Sequence, residues 1–329
     1  MKNWIARLFG AGAAPDPAPT GTPASGAPAA TPAAARAADA PADLDTAFWR
    51  WLSAGIAGAA PEALRQRLLD ELDDLAARPD DAAALVPRVP EVIPTLLRSL
   101  RDESVDAAGL ARQVARDPLL VLETIREANS PFHRPAAPVR TVEAAVLVLG
   151  QNGLRMLLAR VAFRPVIGMA GGACARQAAP RLWRHAQCCA RAGALLAGAH
   201  GADPFEAYLA GLVRDLGLVA ALRLADQVLE APALPQDAAF AAALLAHARE
   251  LSARIVLAWK LPPPIGAAIL RAGPGASQPL AALLDQAARL ATLRLLLDDG
   301  ALDADDPLLD FADARAARAF ERIGGADEP

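Results

Sequence analysis

Aromatic side chains are scarce in this chain of 329 residues: five tryptophans, eight phenylalanines and one tyrosine, 4% of the total. Sheets favour aromatic and β-branched residues, so their scarcity argues against a β-rich fold. Cysteine is scarcer still, with Cys174, Cys188 and Cys189 only. The odd count, the adjacent pair and the lack of a C-x-x-C spacing support neither a disulfide framework nor a zinc knuckle. In an alanine-rich helix these thiols read as small packing residues, with a redox role as the alternative, and a reducing cytoplasm is the expected compartment. Four histidines, at 133, 185, 200 and 247, are too few for a two-metal centre. No run of about 20 apolar residues is free of charge or proline, so no membrane span is expected. The N-terminus lacks the long apolar core and cleavage site of a secretory signal. An excess of one charge is also missing: the net charge is −4, the pI is near 5.7, and the arginines are scattered among acids at helical spacing. That excludes a dedicated nucleic-acid surface. There is no G-x-S-x-G, no phosphate-binding loop and no dinucleotide fingerprint, and Gly168–Gly172 has no strand before it.

What the chain has is alanine and leucine, which dominate a 54% hydrophobic composition. Both are strong helix formers with little β preference, so the expected fold is all-α, an irregular multi-helix bundle. Residues Met1–Gly10 place Trp4, Ile5, Leu8 and Phe9 on one helical face. They read as a docking peptide for a partner, as a weak peripheral membrane contact, or as a frayed start without a role. From residue 11 to 43 the chain is almost wholly Ala, Pro, Gly and Thr, too poor in large side chains to offset its ordering entropy, and is expected to be a disordered tether.

Folding resumes at Leu44. Residues 44–83 read as a helical hairpin, either an appendage or a cover on the next domain. Phe48, Trp49, Leu52 and Ile56 form one stripe, Pro61 opens the second helix, and Arg78-Pro79-Asp80 stops it. Residues 84–300 carry the main bundle. Ser104 caps one helix, and Asp117-Pro118 opens another that closes at Asn129-Ser130-Pro131. Thr141 caps a third, ended by Gly150. Further helices are expected at about 180–200, 204–214, 218–230, 237–259 and 279–298. Asn129 is expected to cap the helix before it and to bond the following turn. His247 is expected to pack beside Trp259, with His133 and His200 in loops. Residues 301–329 read as a C-terminal helix or tail.

Several short stretches, in order, resemble one family, the HDOD domain, a bacterial relative of the HD phosphohydrolases. They are Val89-Pro90 with Leu96-Leu97, Asp117-Pro118 with Ala128-Asn129-Ser130, and Ala144-Ala145 with Leu149-Gly150. Leu182-Trp183-Arg184-His185, Ala207 to Gly217, Trp259-Lys260-Leu261-Pro262 and Leu284 to Leu290 follow. The likeness spans about residues 85–295.

The resemblance implies a degenerate HD site at His185, Arg214, Asp215 and Asp285. In metal-dependent relatives a histidine precedes the aspartate, whereas Gly211-Leu212-Val213-Arg214-Asp215-Leu216-Gly217 has arginine there. A guanidinium stays protonated and has no lone pair for a cation. The second histidine pair of relatives with more metal ligands would fall near Arg271-Ala272 and is absent. Two placements of Arg214 stay open: inward, pairing with Asp215 or Asp285 in place of the metal, or outward, with the aspartates capping helices. His185 reads as a hydrogen-bonded structural residue or as a surviving ligand. The expectation is a non-enzymatic, cytoplasmic bacterial regulator without metal or cofactor, binding a protein partner in a signalling pathway or a nucleotide. The rival is a residual metal-dependent phosphohydrolase or cyclic-dinucleotide phosphodiesterase on His185, Asp215 and Asp285.

Overall fold

The computed structural model describes residues 44–324, except 87–110, 113, 116–117, 131–132, 134, 169–170, 230–231 and 312. The peptide bearing Trp4, Ile5, Leu8 and Phe9, the tether, the Val89-Pro90 and Leu96-Leu97 landmarks, and the caps at Ser104 and Asp117 lie outside the described residues. The fold is all-α. Among the described residues there is no strand, only an isolated parallel bridge between Ala57 and Leu234.

The helices are α1 Leu44–Leu52, α2 Glu62–Ala76, α3 Pro79–Leu85, α4 Pro118–Ala128, α5 Val142–Gly168 and α6 Ala173–Leu196, then α7 Pro204–Val213, α8 Leu216–Val228, α9 Ala238–Ala258, α10 Pro263–Arg271, α11 Pro279–Asp298 and α12 Ala314–Ile323. Helix α10 and the part of α5 after Gly150 are not among the expected helices, and two further boundaries differ from the sequence reading. Pro79 does more than stop α2, because it occupies the first turn of α3, where its missing N–H costs nothing. Helix α6 starts about seven residues before the expected 180. Its first N–H groups are capped from α8: Asp226 accepts from the backbone of Cys174 at 2.7 Å and of Ala175 at 3.1 Å. Pro180 therefore sits inside a helix rather than at its start.

The helices from residue 44 to 76 belong to the main core. Trp49, Leu52, Leu68 and Leu72 are fully buried in one cluster with α6 to α9. Each buried side chain of this size contributes roughly 1.5–3 kcal/mol before entropic losses. The Trp49 indole N–H donates to the Pro235 carbonyl at 2.8 Å, and that of Trp51 to Asp299 at 2.8 Å. The C-terminal helix packs as well: α12 buries Ala316, Ala319, Phe320 and Ile323 against α6 and α11.

A second, smaller core joins α4 to the first half of α5. Thr141 caps α5, its hydroxyl accepting from Ala144 N at 3.2 Å, and Gly150, at φ 64°, breaks it. The rest of α5 runs on into the main core through Ala159, Ala162, Phe163, Val166 and Ile167. Val142–Gly168 is long and apolar enough to cross a membrane by length and composition, but it carries Arg155, Arg160 and Arg164 and buries apolar side chains in both cores, leaving Leu147 and Val148 exposed. Asn129 holds the α4–α5 connection as expected. Its amide donates to Ile125 O at 2.8 Å and Val139 O at 2.7 Å, and its carbonyl accepts from Val139 N at 2.8 Å.

Candidate functional site

The Gly211–Gly217 motif spans the junction of α7 and α8, and its two glycines set where that junction lies. A Cβ on Gly211 would come within 2.6 Å of the Cys189 backbone on α6, and one on Gly217 within 1.9 Å of the Ala248 carbonyl on α9. Only glycine allows both approaches. Gly217 N also donates to the Ser252 hydroxyl at 2.8 Å. Held between α6 and α9, Arg214 ends α7 and Asp215 starts α8. The Asp215 backbone carbonyl accepts from Leu218 and Val219, while its carboxylate makes no cap and is left for side chains.

His185 projects from α6 onto that carboxylate. Its Nδ1 lies 2.6 Å from Asp215 Oδ2, and its Nε2 lies 3.1 Å from the Thr292 hydroxyl on α11, so both ring nitrogens are engaged. The ring of Phe48, from α1, packs over the imidazole with centroids 4.5 Å apart. Cys189, one turn beyond His185, puts Sγ 3.6 Å from Nε2. Arg214 turns inward: Nε lies 3.4 Å from Asp215 Oδ1, and the side chain is 19% exposed.

Electrostatics favours the charged forms. Burial opposes protonation of His185, yet Cys189 and Asp215 together lift it to about 9. Burial alone would raise Asp215. His185 and Arg214, with a smaller contribution from Arg249, hold it below the ordinary carboxylate range instead. The result is a buried imidazolium–carboxylate pair with a guanidinium on its flank.

Asp285 does not join this group. It lies on the wall of the same cleft, a cavity of about 390 Å³ that also exposes His185, Arg214 and Asp215. Among the described residues, the three side chains with donor atoms within 4.8 Å of one another are His185, Cys189 and Asp215. Cys189 was legible only as the residue four past His185 on one helix face. Thr292, Phe48 and Arg249 carry no motif at all, and Arg289 lies in the Leu284–Leu290 stretch without being singled out, because the cleft is assembled from helices brought together by tertiary packing.

The other histidines lie elsewhere. His247 points towards Asp73, 4.0 Å away, and Trp259 sits with Phe163 at 6.4 Å between ring centroids. The expected His247–Trp259 pairing fails because twelve residues along α9 separate them by roughly 18 Å. His133 lies in a turn beside Glu127, and His200 closes a short 3-10 turn with Nε2 2.9 Å from Gln286 Oε1.

A helix-borne histidine bonded to the aspartate of an Arg-Asp pair, in an all-α bundle, defines an HD-like protein. A profile of the HDOD domain family matches residues 86–273, more than half of the chain, and the protein belongs to that family. Among solved structures it is similar to an HDOD domain protein of unknown function from Geobacter sulfurreducens, at 22% identity over 74% of this chain and 85% of that one, TM-score 0.51. It is also similar to a protein from Shewanella amazonensis SB2B provisionally described as a metal-dependent phosphohydrolase, at 15% identity over 79% and 98% of the two chains, TM-score 0.56. At these identities both likenesses establish the fold. No curated protein matches the chain.

Proposed function

We propose that this protein is a non-enzymatic signalling module in which an internal ion pair stands where metal-dependent relatives hold a divalent cation. The observation that carries the reading is the bonding of His185, both of whose nitrogens are committed, to Asp215 and to Thr292. A protonated imidazole has no lone pair to donate. The Arg214 guanidinium beside Asp215 would in addition repel a divalent ion by several kcal/mol in this partly buried setting. On this reading the bundle works by binding, to a protein partner in a signalling pathway or to a nucleotide in its cleft. The segment with Trp4, Ile5, Leu8 and Phe9 then serves as a second docking element, raising the effective concentration of its target. The three cysteines are free and buried, which fits a cytoplasmic protein.

One observation favours the rival hydrolase: His185, Cys189 and Asp215 offer three donor atoms within 4.8 Å. Metal analysis of the purified protein, with an assay on a generic phosphodiester, separates the two. The signalling reading expects substoichiometric metal, unchanged in Asp215→Ala, and no turnover above background. Stoichiometric Mn, Fe or Zn that is lost in Asp215→Ala, together with turnover, overturns it.

A further inference from the structure

The cleft over the His185–Asp215 pair contains more cationic donors than the protein itself uses. Arg214 reaches it from the end of α7, Arg249 from α9 and Arg289 from α11. Within the described residues, Arg249 and Arg289 make no ion pair and no hydrogen bond. Arg214 has Asp215 Oδ1 3.4 Å from Nε, the Asp285 charge acting on it from further off, and one terminal nitrogen 4.0 Å from the Cys189 sulfur. The Arg214 side chain is 19% exposed and lines the cleft, and its second terminal amino group has no hydrogen bond among the described residues.

The lining also keeps a positive surplus once the internal pair is set apart. His185 and Asp215 neutralise each other. What is left is Arg214, Arg249 and Arg289 against Asp45 and Asp285, a surplus of one positive charge. The remaining wall is apolar, with Phe48, Leu218, Leu245 and Ile269 among its residues. A volume of about 390 Å³ lies within the range of roughly 300–1,000 Å³ typical of small-molecule sites. Converging guanidiniums bind phosphate oxygens through paired, charge-assisted hydrogen bonds, and apolar walls suit the faces of a ring.

We propose that this cleft is a binding site for a small phosphate monoester carrying a flat ring, gripped at its phosphate by Arg249, Arg289 and the free terminal amino group of Arg214. The phosphate takes the place that a metal and its water would hold in a hydrolase, and is bound rather than cleaved. Three of these contributions lie outside the segment shared with the family, residues 86–273. Asp45 and Phe48 come from α1, and Arg289 from α11. The flanking helices therefore share the site with the family segment, which supplies Arg214 and Arg249.

The proposal rests on the metal-free reading of the site, and one titration tests them separately. EDTA-treated full-length protein is titrated calorimetrically with AMP, GMP, adenosine and inorganic phosphate, with and without Mn²⁺. The expected result is binding of a nucleoside monophosphate without metal, weaker binding of phosphate, and none of adenosine. Arg249→Ala and Arg289→Ala should each weaken binding roughly tenfold. Arg289 is exposed, so its variant retains the fold. Binding that appears only with Mn²⁺ overturns the metal-free reading. Absence of monophosphate binding in every condition overturns the phosphate site alone, as does equal affinity for adenosine or unchanged affinity in both arginine variants.

Discussion

At the scale of single residues, the decisive feature is that three ionisable groups are charged and packed together. Asp215 is 5% exposed and His185 2% exposed, so each is tolerable only because the other is present. The pH dependence follows. The folded pKa of His185, about 9, lies above its ordinary 6.5. The stabilisation it brings is therefore complete below 6.5 and is lost as pH rises through about 9. Asp215 is shifted the other way, so its contribution persists above the ordinary carboxylate range and fades only in acid. Melting temperature measured from pH 6 to 10 should fall on the alkaline side in the wild type. In His185→Gln it should start lower and lose less over the same interval. Parallel curves for the two proteins would show that His185 is neutral when folded. The sequence exposed this much: the Arg-Asp pair and His185 at their motif positions, and the two placements of Arg214. It could not choose between those placements, because the buried pair that Arg214 joins is set by tertiary contacts: His185 is held by Thr292 and Phe48, 107 and 137 residues away in the chain.

At the scale of elements, local signals read well and remote ones did not. Asp203 and Asp237 begin α7 and α9 with side chains that accept from the third residue on, at 2.8 Å and 2.9 Å, and such caps are visible in sequence. The start of α6 was invisible because its cap, Asp226, lies some 50 residues downstream on another helix. The same logic separates the two roles of the Gly211–Gly217 motif. Its polar pair is a chemical signal, but its glycines are packing devices whose need is set by α6 and α9. Gly217→Ala should accordingly be among the most damaging small substitutions in the chain. Its methyl group would lie 1.9 Å from the Ala248 carbonyl, and α8 and α9 would have to part to admit it. Overpacking of this kind costs about 3 kcal/mol, and the loss of the Gly217–Ser252 hydrogen bond adds roughly 1 kcal/mol. A urea midpoint within experimental scatter of the wild type would mean that the α8–α9 contact is looser than the structure has it.

At the scale of the whole molecule, the family segment and the folding unit differ. The matched residues are 86–273, whereas the main core also takes Phe48, Trp49, Leu52, Leu68 and Leu72 from α1 and α2, and Ala281, Leu284, Ala288 and Leu295 from α11. Removing the flanks would strip eleven large buried side chains, eight before residue 86 and three on α11, from the main core, at roughly 1.5–3 kcal/mol each. A domain's entire net stability is about 5–15 kcal/mol. The flanks also hold Thr292, the partner of His185 Nε2, and Asp299, which accepts from Trp51 and pairs with Arg184 at 2.9 Å. A fragment comprising residues 86–273 should therefore keep helical signal but lose cooperative melting and bind hydrophobic dye. A fragment of residues 44–324 should melt as one unit. The comparison needs only circular dichroism and dye fluorescence on the two fragments. A sharp, wild-type-like transition in the shorter one would show that α1, α2 and α11 decorate the bundle, and the cleft they help to wall would then have to form without them.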